Sequence, residues 1–377
     1  WYNQHRKMQG AADSAAVSAA TAFSNGVNDV TPQANAVASS YGFVNGTNNV
    51  TVTVNKPPLS GTHKATAGAI EVIVAQPQRR LFSAVFGSGQ AAVSARAVAA
   101  AKDGTGCVLA LDKTKKGAAT DVGAPQVVLT GCSLYDNSNN AAALVVNGAA
   151  TLTALSVSVV GGISGAGGIT TTPTAGKITT GDPPTVDPYA NRSFPAFSGG
   201  CTDPGNIHTT VTLDPGVFCK LKLNANANVT LNPGIYYLDG GDLTVNAQAK
   251  LTGTGVTIVF TGSGTNWATA TINGGATVNL TAPTTGSTAG IVFFGDRNMP
   301  VGTEFKLNGG STQTFDGAIY LPAADVRING ASASGDPNAC TQLIADTITF
   351  SGNANFAVNC TGKGLKGIGS KTAALVE

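Results

Sequence analysis

A short phrase returns along residues 221–360: an apolar residue, Asn, two or three small residues, then alternating apolar and polar positions. It reads LNANANVTL from Leu223, VNAQAKLTG from Val245, INGGATVNL from Ile272, LNGGSTQTF from Leu307, INGASAS from Ile328 and FSGNANFAV from Phe350. Its second positions, Asn224, Asn246, Asn273, Asn308, Asn329 and Ser351, stand 22, 27, 35, 21 and 22 residues apart. A basal interval of 21 to 22 residues with two enlarged ones is the mark of a solenoid that winds one coil per repeat, with loops inserted after Thr252 and Asn279. The alternation inside each phrase has period 2, so the unit is a strand with one face inward. Asn followed by Gly or Ala supplies the bend before the strand, because both Asn and Gly tolerate left-handed backbone angles. These features predict a mainly β chain built on a parallel β-helix. In such a stack Asn224, Asn246, Asn273, Asn308 and Asn329 lie above one another and share side-chain amide hydrogen bonds. The competing reading is a set of unrelated Asn-Gly turns in an antiparallel sandwich, which spaces turns at 8 to 12 residues without a repeated phrase.

The chain of 377 residues is long enough for two or three modules. Only 11% of it is charged, against about 25% in an average soluble domain. Its 48 glycines approach twice the usual share of about 7%. A net charge of +2 without a dense basic tract argues against nucleic acid as a partner. No run reaches 18 apolar residues, the length of a membrane-spanning helix. The chain opens inside a predicted helix, so an upstream segment is expected, removed by processing or lying outside this sequence.

Six cysteines fall into three local couples: Cys107 and Cys132, Cys201 and Cys219, Cys340 and Cys360, separated by 25, 18 and 20 residues. Because each coil of a solenoid contacts only its neighbours, sequential pairing is the natural choice among 15 connectivities. Metal binding competes with it, but no couple has C-x-x-C spacing and His5, His63 and His208 lie far away in sequence. Disulfides imply an oxidising compartment: periplasm, cell surface or outside.

Residues 1–104 read as a small α+β domain. An Ala-rich helix over residues 4–23 carries two small-residue stripes, Ala11, Ala15, Ala19 and Ala12, Ala16, Ala20, which let another backbone approach closely. Thr31 reads as the N-cap of a second helix with Pro32 at its first position, and Gly42 ends it. Strands are predicted at residues 50–54, 69–75 and 91–101, and a short helix at 77–86 with Phe82, Val85 and Phe86 on one face. Residues 105–377 form the β-helix, which starts early because VNGAATLTAL from Val146 repeats the phrase. The Pro-rich stretch 172–200 departs from it as a surface excursion, reclosed by the Cys201 and Cys219 couple. In this chain-order stack one end adjoins the α+β domain. The other is followed by the tail after Cys360, where TAALV offers a last strand.

QGAADSAAVSAATAF from Gln9, VIVAQPQRRLFSAVFG from Val72 and VSARAVA from Val93 resemble the N-terminal part of TadG-like proteins of tight-adherence (Flp) pilus systems. CVLALD at Cys107, GCSLYDNSNNAAALVVNGAATL from Gly131, LNPGIYYLDGG from Leu231 and LTGTGVTI from Leu251 resemble the β-helical TadG-related members. The resemblance runs over nearly the whole chain. It implies a bacterial cell-surface protein of pilus assembly or adhesion, reached through the periplasm, with other pilus or surface components as partners. Membrane attachment is expected only through the helix that family members carry just before the segment matching Gln9, which is not in this sequence.

Chemistry-bearing motifs are sparse. GAGGITTTPTAGKI and GIGSKT glance at phosphate loops, but Ile178 stands where Ser or Thr is needed and Ser370 separates Gly369 from Lys371. Asp136, Ser138 and Asn140 form D-x-S-x-N, close to a metal-dependent adhesion pattern, with an Asx-type turn the better account. Asp325 and Asp346 stand 21 residues apart in matching contexts, and one coil apart they would stack about 4.8 Å from each other. That spacing suits paired carboxylates in glycoside cleavage, and equally plain solvation. The expectation is a structural protein without enzymatic activity, cofactor or metal. The other reading is a polysaccharide-binding or polysaccharide-degrading β-helix using Trp267, Tyr236, Tyr237 and Phe260. Assembly into a homo-oligomer or filament is expected through the N-terminal alanine stripes on a neighbouring subunit, with docking of the helix on its own sheet as the alternative.

Overall fold

The computed structural model describes residues 2–24, 27–79, 90–102, 104–174, 176–309, 313–329, 332–333, 339–357, 360, 362–369 and 372–377. It contains two compact units, Trp1–Gly104 with Ser370–Glu377, and Thr105–Gly369.

In the first unit, helices α1 (Tyr2–Ser24) and α2 (Thr31–Ser40) accompany an antiparallel sheet. Its strands are ordered Thr51–Asn55, Ala69–Ala75, Ser94–Lys102 and Thr372–Leu375. Ala11, Ala12, Ala15, Ala16, Ala19 and Ala20 are all fully buried in one cluster with Ile70, Val72 and Val74. Ala95, Ala97 and Ala99 alternate along the facing strand, so small residues meet small residues and helix and sheet approach closely. This corrects the expected role of the six alanines in assembly: both stripes are covered within the first unit, by its sheet and by Ala34 and Ala38 of α2.

Three further expectations change here. Val30, not Thr31, is the N-cap residue of α2, and Thr31 N–H instead donates to Asp29 Oδ1 at 3.0 Å. Gln78–Arg79 is a strand paired antiparallel with Gln90–Ala91, where a helix over 77–86 was expected. Phe82, Val85 and Phe86 lie outside the described residues. The tail assigned to residues 105–377 returns to the first unit, where Thr372–Leu375 pairs antiparallel with Ser94–Lys102. A part-buried ion cluster, centred on the buried Glu71, holds it. Arg96 reaches Glu71 at 2.5 Å and Glu377 at 2.5 Å, while Glu71 also accepts from Asn55, Leu59 N–H and Ser60.

The second unit is mainly β, with long parallel ladders compatible with the expected β-helix. One ladder runs through Asn206–Ile207, Leu221–Leu223, Leu243–Val245, Ala270–Ile272 and Thr303–Asn308 to the far part of Gln313–Asn329. The first apolar residue of each phrase, Leu223, Val245, Ile272, Leu307, Ile328 and Phe350, stacks in register and is buried. A second ladder links Thr210–Leu213, Asn228–Leu231, Lys250–Thr254, Thr277–Thr281 and the start of Gln313–Asn329. The third links Gly216–Phe218, Gly234–Asp239, Val256–Ser263, Ile291–Gly295 and the middle of Gln313–Asn329.

The repeats do not stack in chain order. Thr341–Phe350 pairs on one side with Gln313–Asn329 and on the other with Gly106–Ala110 and Ala119–Gly123. Ala354–Ala357 likewise pairs with Gln126–Thr130. Beyond these, Ser133–Asp136, Leu144–Gly148, Thr151–Ala154 and Val157–Val159 continue the ladders outward to Ile163–Ser164, Ile169–Thr171 and Ile178–Thr180. The chain therefore enters in the middle of the stack, winds to one end, crosses to the other and winds back. Thr105 and Ile368, near the two points where it enters and leaves, are bridged to each other. The expected placement of the stack's ends at the chain's ends is corrected by these pairings.

The crossing is made by residues 181–205, starting later than the predicted 172–200 because Ile178–Thr180 still pairs as a strand. This strap runs along the outer side of the third ladder. Tyr189 packs on Tyr320, Phe194 on Phe294 and Tyr237, and Phe197 on Tyr237. Those rings form a second apolar cluster outside the interior of the ladders. Here the aromatic rows of the third ladder find the cover that an exposed apolar sheet face requires.

Candidate functional site

The bend that begins at Asn224, at Asn246 and at Asn273 is a four-residue turn. Ala227 N–H donates to Asn224 O, Ala249 N–H to Asn246 O and Ala276 N–H to Asn273 O, at 3.0, 3.0 and 3.1 Å. The left-handed residue is two places later, at Asn226, Gln248 and Gly275, so the recurring Asn does not itself bend the chain as expected. Instead its side chain is free to stack. Asn246 Nδ2 donates to Asn224 Oδ1 at 3.0 Å, Asn273 Nδ2 to Asn246 Oδ1 at 3.0 Å, and Asn329 Nδ2 to Asn308 Oδ1 at 2.8 Å. Ser351 continues the row with a hydroxyl bond to Asn329 Oδ1, and His208 meets Asn224 at the other side.

The cysteines are bonded as Cys107–Cys132, Cys201–Cys219 and Cys340–Cys360. The first ties Gly106–Ala110 to the residue just before its partner strand Ser133–Asp136, and the second ties the end of the strap to the residue just after Gly216–Phe218. Three disulfides fit an oxidising environment. No helix among the described residues is long and apolar enough to cross a membrane.

Asp325 and Asp346 are not register partners. An irregularity between Leu321 and Asp325 sets Asp325 opposite Thr347, whose hydroxyl donates to Asp325 Oδ1 at 3.0 Å. Asp325 Oδ2 is held by Arg327 at 3.1 Å, and Arg327 bridges on to Glu304 at 3.0 Å. Burial pushes the Asp346 carboxyl up to about 6, with the charges of Asp112 and Asp325 adding to the rise and Lys115 opposing it. Asp325 is thus committed to an arginine and a threonine.

Asp136, Ser138 and Asn140 knit a turn. Asp136 accepts from Ser138 N–H at 2.9 Å and Ala119 N–H at 3.1 Å; Ser138 Oγ donates to Lys115 O at 2.7 Å; Asn140 Oδ1 accepts from Ala142 N–H at 3.0 Å. These side-chain oxygens are engaged with backbone, the Asx arrangement. Among the described residues no group of three His, Cys, Asp or Glu could hold a metal ion. The aromatic candidates for a glycan groove are largely inward: Tyr236 and Phe260 are fully buried, and Tyr237 lies under the strap. A shallow open depression is lined by Asp203, Lys220, Lys222 and Asp242, with Lys220 paired to Asp203 at 2.9 Å.

Sequence reasoning passed over two features. Tyr189 is fully buried at the centre of the strap contacts: its hydroxyl donates to Gln342 Oε1 at 3.1 Å and accepts from Lys366 N–H at 3.0 Å. Asp121 points inward between Phe350 and Val146, only 2% exposed, and neither carboxylate oxygen has a hydrogen-bond partner. Burial pushes its carboxyl up to about 7. The alternation in ATDVG places Asp121 on the same side as Ala119, which is the signal that it faces in.

Comparison with protein-family models, curated proteins and solved structures gives no match.

Proposed function

We propose that the chain is a non-enzymatic structural protein of the bacterial cell surface, its second unit a parallel β-helix. We relate it to the TadG-like proteins of tight-adherence pilus systems and to extracellular self-assembly. The observation that carries this reading is the stack of parallel ladders, fastened by three disulfides, in which the conspicuous polar groups are spent on holding repeats together. The likeness to the TadG group rests on the quoted phrases alone, such as LNPGIYYLDGG from Leu231 and QGAADSAAVSAATAF from Gln9. A polysaccharide-cleaving role would need accessible carboxylates and an aromatic or charged groove. Asp325 is tied to Arg327, and Tyr236 and Phe260 are inside.

The test is to incubate the purified chain with plant and bacterial polysaccharides and assay reducing ends and unsaturated products, alongside electron microscopy of the concentrated protein. Expected are no products and visible oligomeric particles. Cleavage abolished by Asp346→Ala overturns the non-enzymatic reading.

A further inference from the structure

The two ends of the stack in the second unit are built to meet. We propose that copies of this chain join head to tail through them, strand edge to strand edge, so that the ladders of one copy continue into the next. The inference rests on the self-assembly reading and names its contact surface.

At one end stand Ile163–Ser164, Ile169–Thr171 and Ile178–Thr180, each paired on one side only. At the other stand Asn206–Ile207, Thr210–Leu213 and Gly216–Phe218, the last partly capped by a bridge to Thr202. Edges of monomeric proteins are commonly blunted by lysine, proline or inward charges. None of these six strands contains a charged residue or a proline. The apolar interior is partly open at both ends, although Ile169, Ile207 and Phe218 are themselves buried. Ile178 is 41% exposed, whereas Val157, its register partner one repeat inward, is fully buried. Val211 and Leu213 are half-buried, whereas their partners Val229 and Leu231 are 0% and 2% exposed.

Continuity with the interior interface identifies the occupant. All these strands are parallel, so the free edge at one end is of the kind that each internal repeat offers its successor, and the other end is of the kind that accepts it. A second copy therefore fits where an arbitrary partner would need a matching winding. The chain enters and leaves the stack at Thr105 and Ile368, away from both ends, and among the described residues the strap that joins one end to the other is bridged to the end strands only at Thr202 to Phe218. Such a contact is heterologous, and a heterologous contact that does not close propagates as a filament.

Light scattering and negative-stain microscopy of the full chain across concentration test this with four variants. Ile178→Lys and the milder Thr180→Lys charge one end; Val211→Lys and the exposed Thr210→Lys charge the other, with circular dichroism and Tm checking the fold. The wild type is expected to form rods whose mean length grows with concentration, and each variant to cut that mass at least several-fold. Mixing a variant of one end with a variant of the other is expected to give discrete dimers, because each retains one competent end. Assemblies that persist in all four variants, or dimers formed by one variant alone, overturn the end-to-end contact while leaving self-assembly standing. A wild type that stays monomeric at high concentration overturns both.

Discussion

The backbone N–H of Gln126 donates to the side-chain oxygen of Asn353 at 2.8 Å, across 227 residues of sequence. It marks the joint where the last repeat of the chain lies against the first, Phe350 opposite Asp121 and Phe356 opposite Leu129. Thr341–Phe350 supplies the second neighbour of Gly106–Ala110 and of Ala119–Gly123, and Ala354–Ala357 that of Gln126–Thr130.

Asp121 makes this joint pH-dependent. Its folded carboxyl titrates near 7 instead of near 3.8, so the folded state holds a proton that the unfolded state releases. Stability is then full below the unfolded value and declines as pH rises through the folded one. Asp121→Val is expected to raise stability at pH 8 by up to about 4 kcal/mol at one pH unit per 1.36 kcal/mol, and by less than half of that at pH 5. Denaturant melts at the two pH values check the difference. An equal effect at both would show that ionisation is not the cause.

Arg96 should have the opposite pH profile. Burial pushes Glu71 up, but the hydrogen bonds from Arg96, Asn55, Leu59 N–H and Ser60 outweigh it and leave the carboxyl below its ordinary value. Its stabilisation is present above the unfolded value of 4.5 and lost as pH falls through the folded one. Arg96→Met strands the buried Glu71 and is expected to cost about 3–5 kcal/mol at pH 7, and much less at pH 3.5. Guanidinium titrations of the variant at both pH values read it directly.

Asn246 bonds to an amide on each side, accepting from Asn273 and donating to Asn224. Asn246→Ala removes both, and the expected loss is about 1–3 kcal/mol. Asn246→Ala combined with Asn224→Ala should cost less than the sum of the two single changes, because they share a bond. Strict additivity in that cycle would deny the ladder.

The strap is expected to carry much of the unit's stability. Tyr189→Phe loses the bonds to Gln342 and Lys366 N–H, about 1–3 kcal/mol, whereas Tyr189→Ala also opens a cavity against Tyr320 and should cost about 3–5 kcal/mol. Thermal melts give the ranking, and limited proteolysis should cut within residues 181–200 first in the alanine variant.

Local order was legible because it repeats. The alternation, the recurring Asn and the couples of Cys all concern neighbours, and neighbours in a stack see one another at a fixed spacing in sequence. The order of the repeats was not legible, because parallel pairing of Ala354 with Val127 leaves the same alternation in both strands whichever repeats are adjacent. The strap's apolar rings sit among prolines without periodicity, so Tyr189 gave no sign of burial. The alanine stripes announced close packing correctly but not against what, since Ala95, Ala97 and Ala99 on the facing strand carry the same signal.

The strap also works as a ruler. It is fastened at one end where Asn137 and Thr185 exchange two bonds, at 2.8 and 2.7 Å, and at the other by Cys201–Cys219. Between these points its rings must fall on Tyr320, Phe294 and Tyr237 in turn. A duplicated repeat inserted between Tyr237 and Phe294 would move its anchor by about 4.8 Å and leave Phe194 unable to touch both. Stacks of repeats commonly gain and lose units; here the number of units and the length of one crossing segment can change only together.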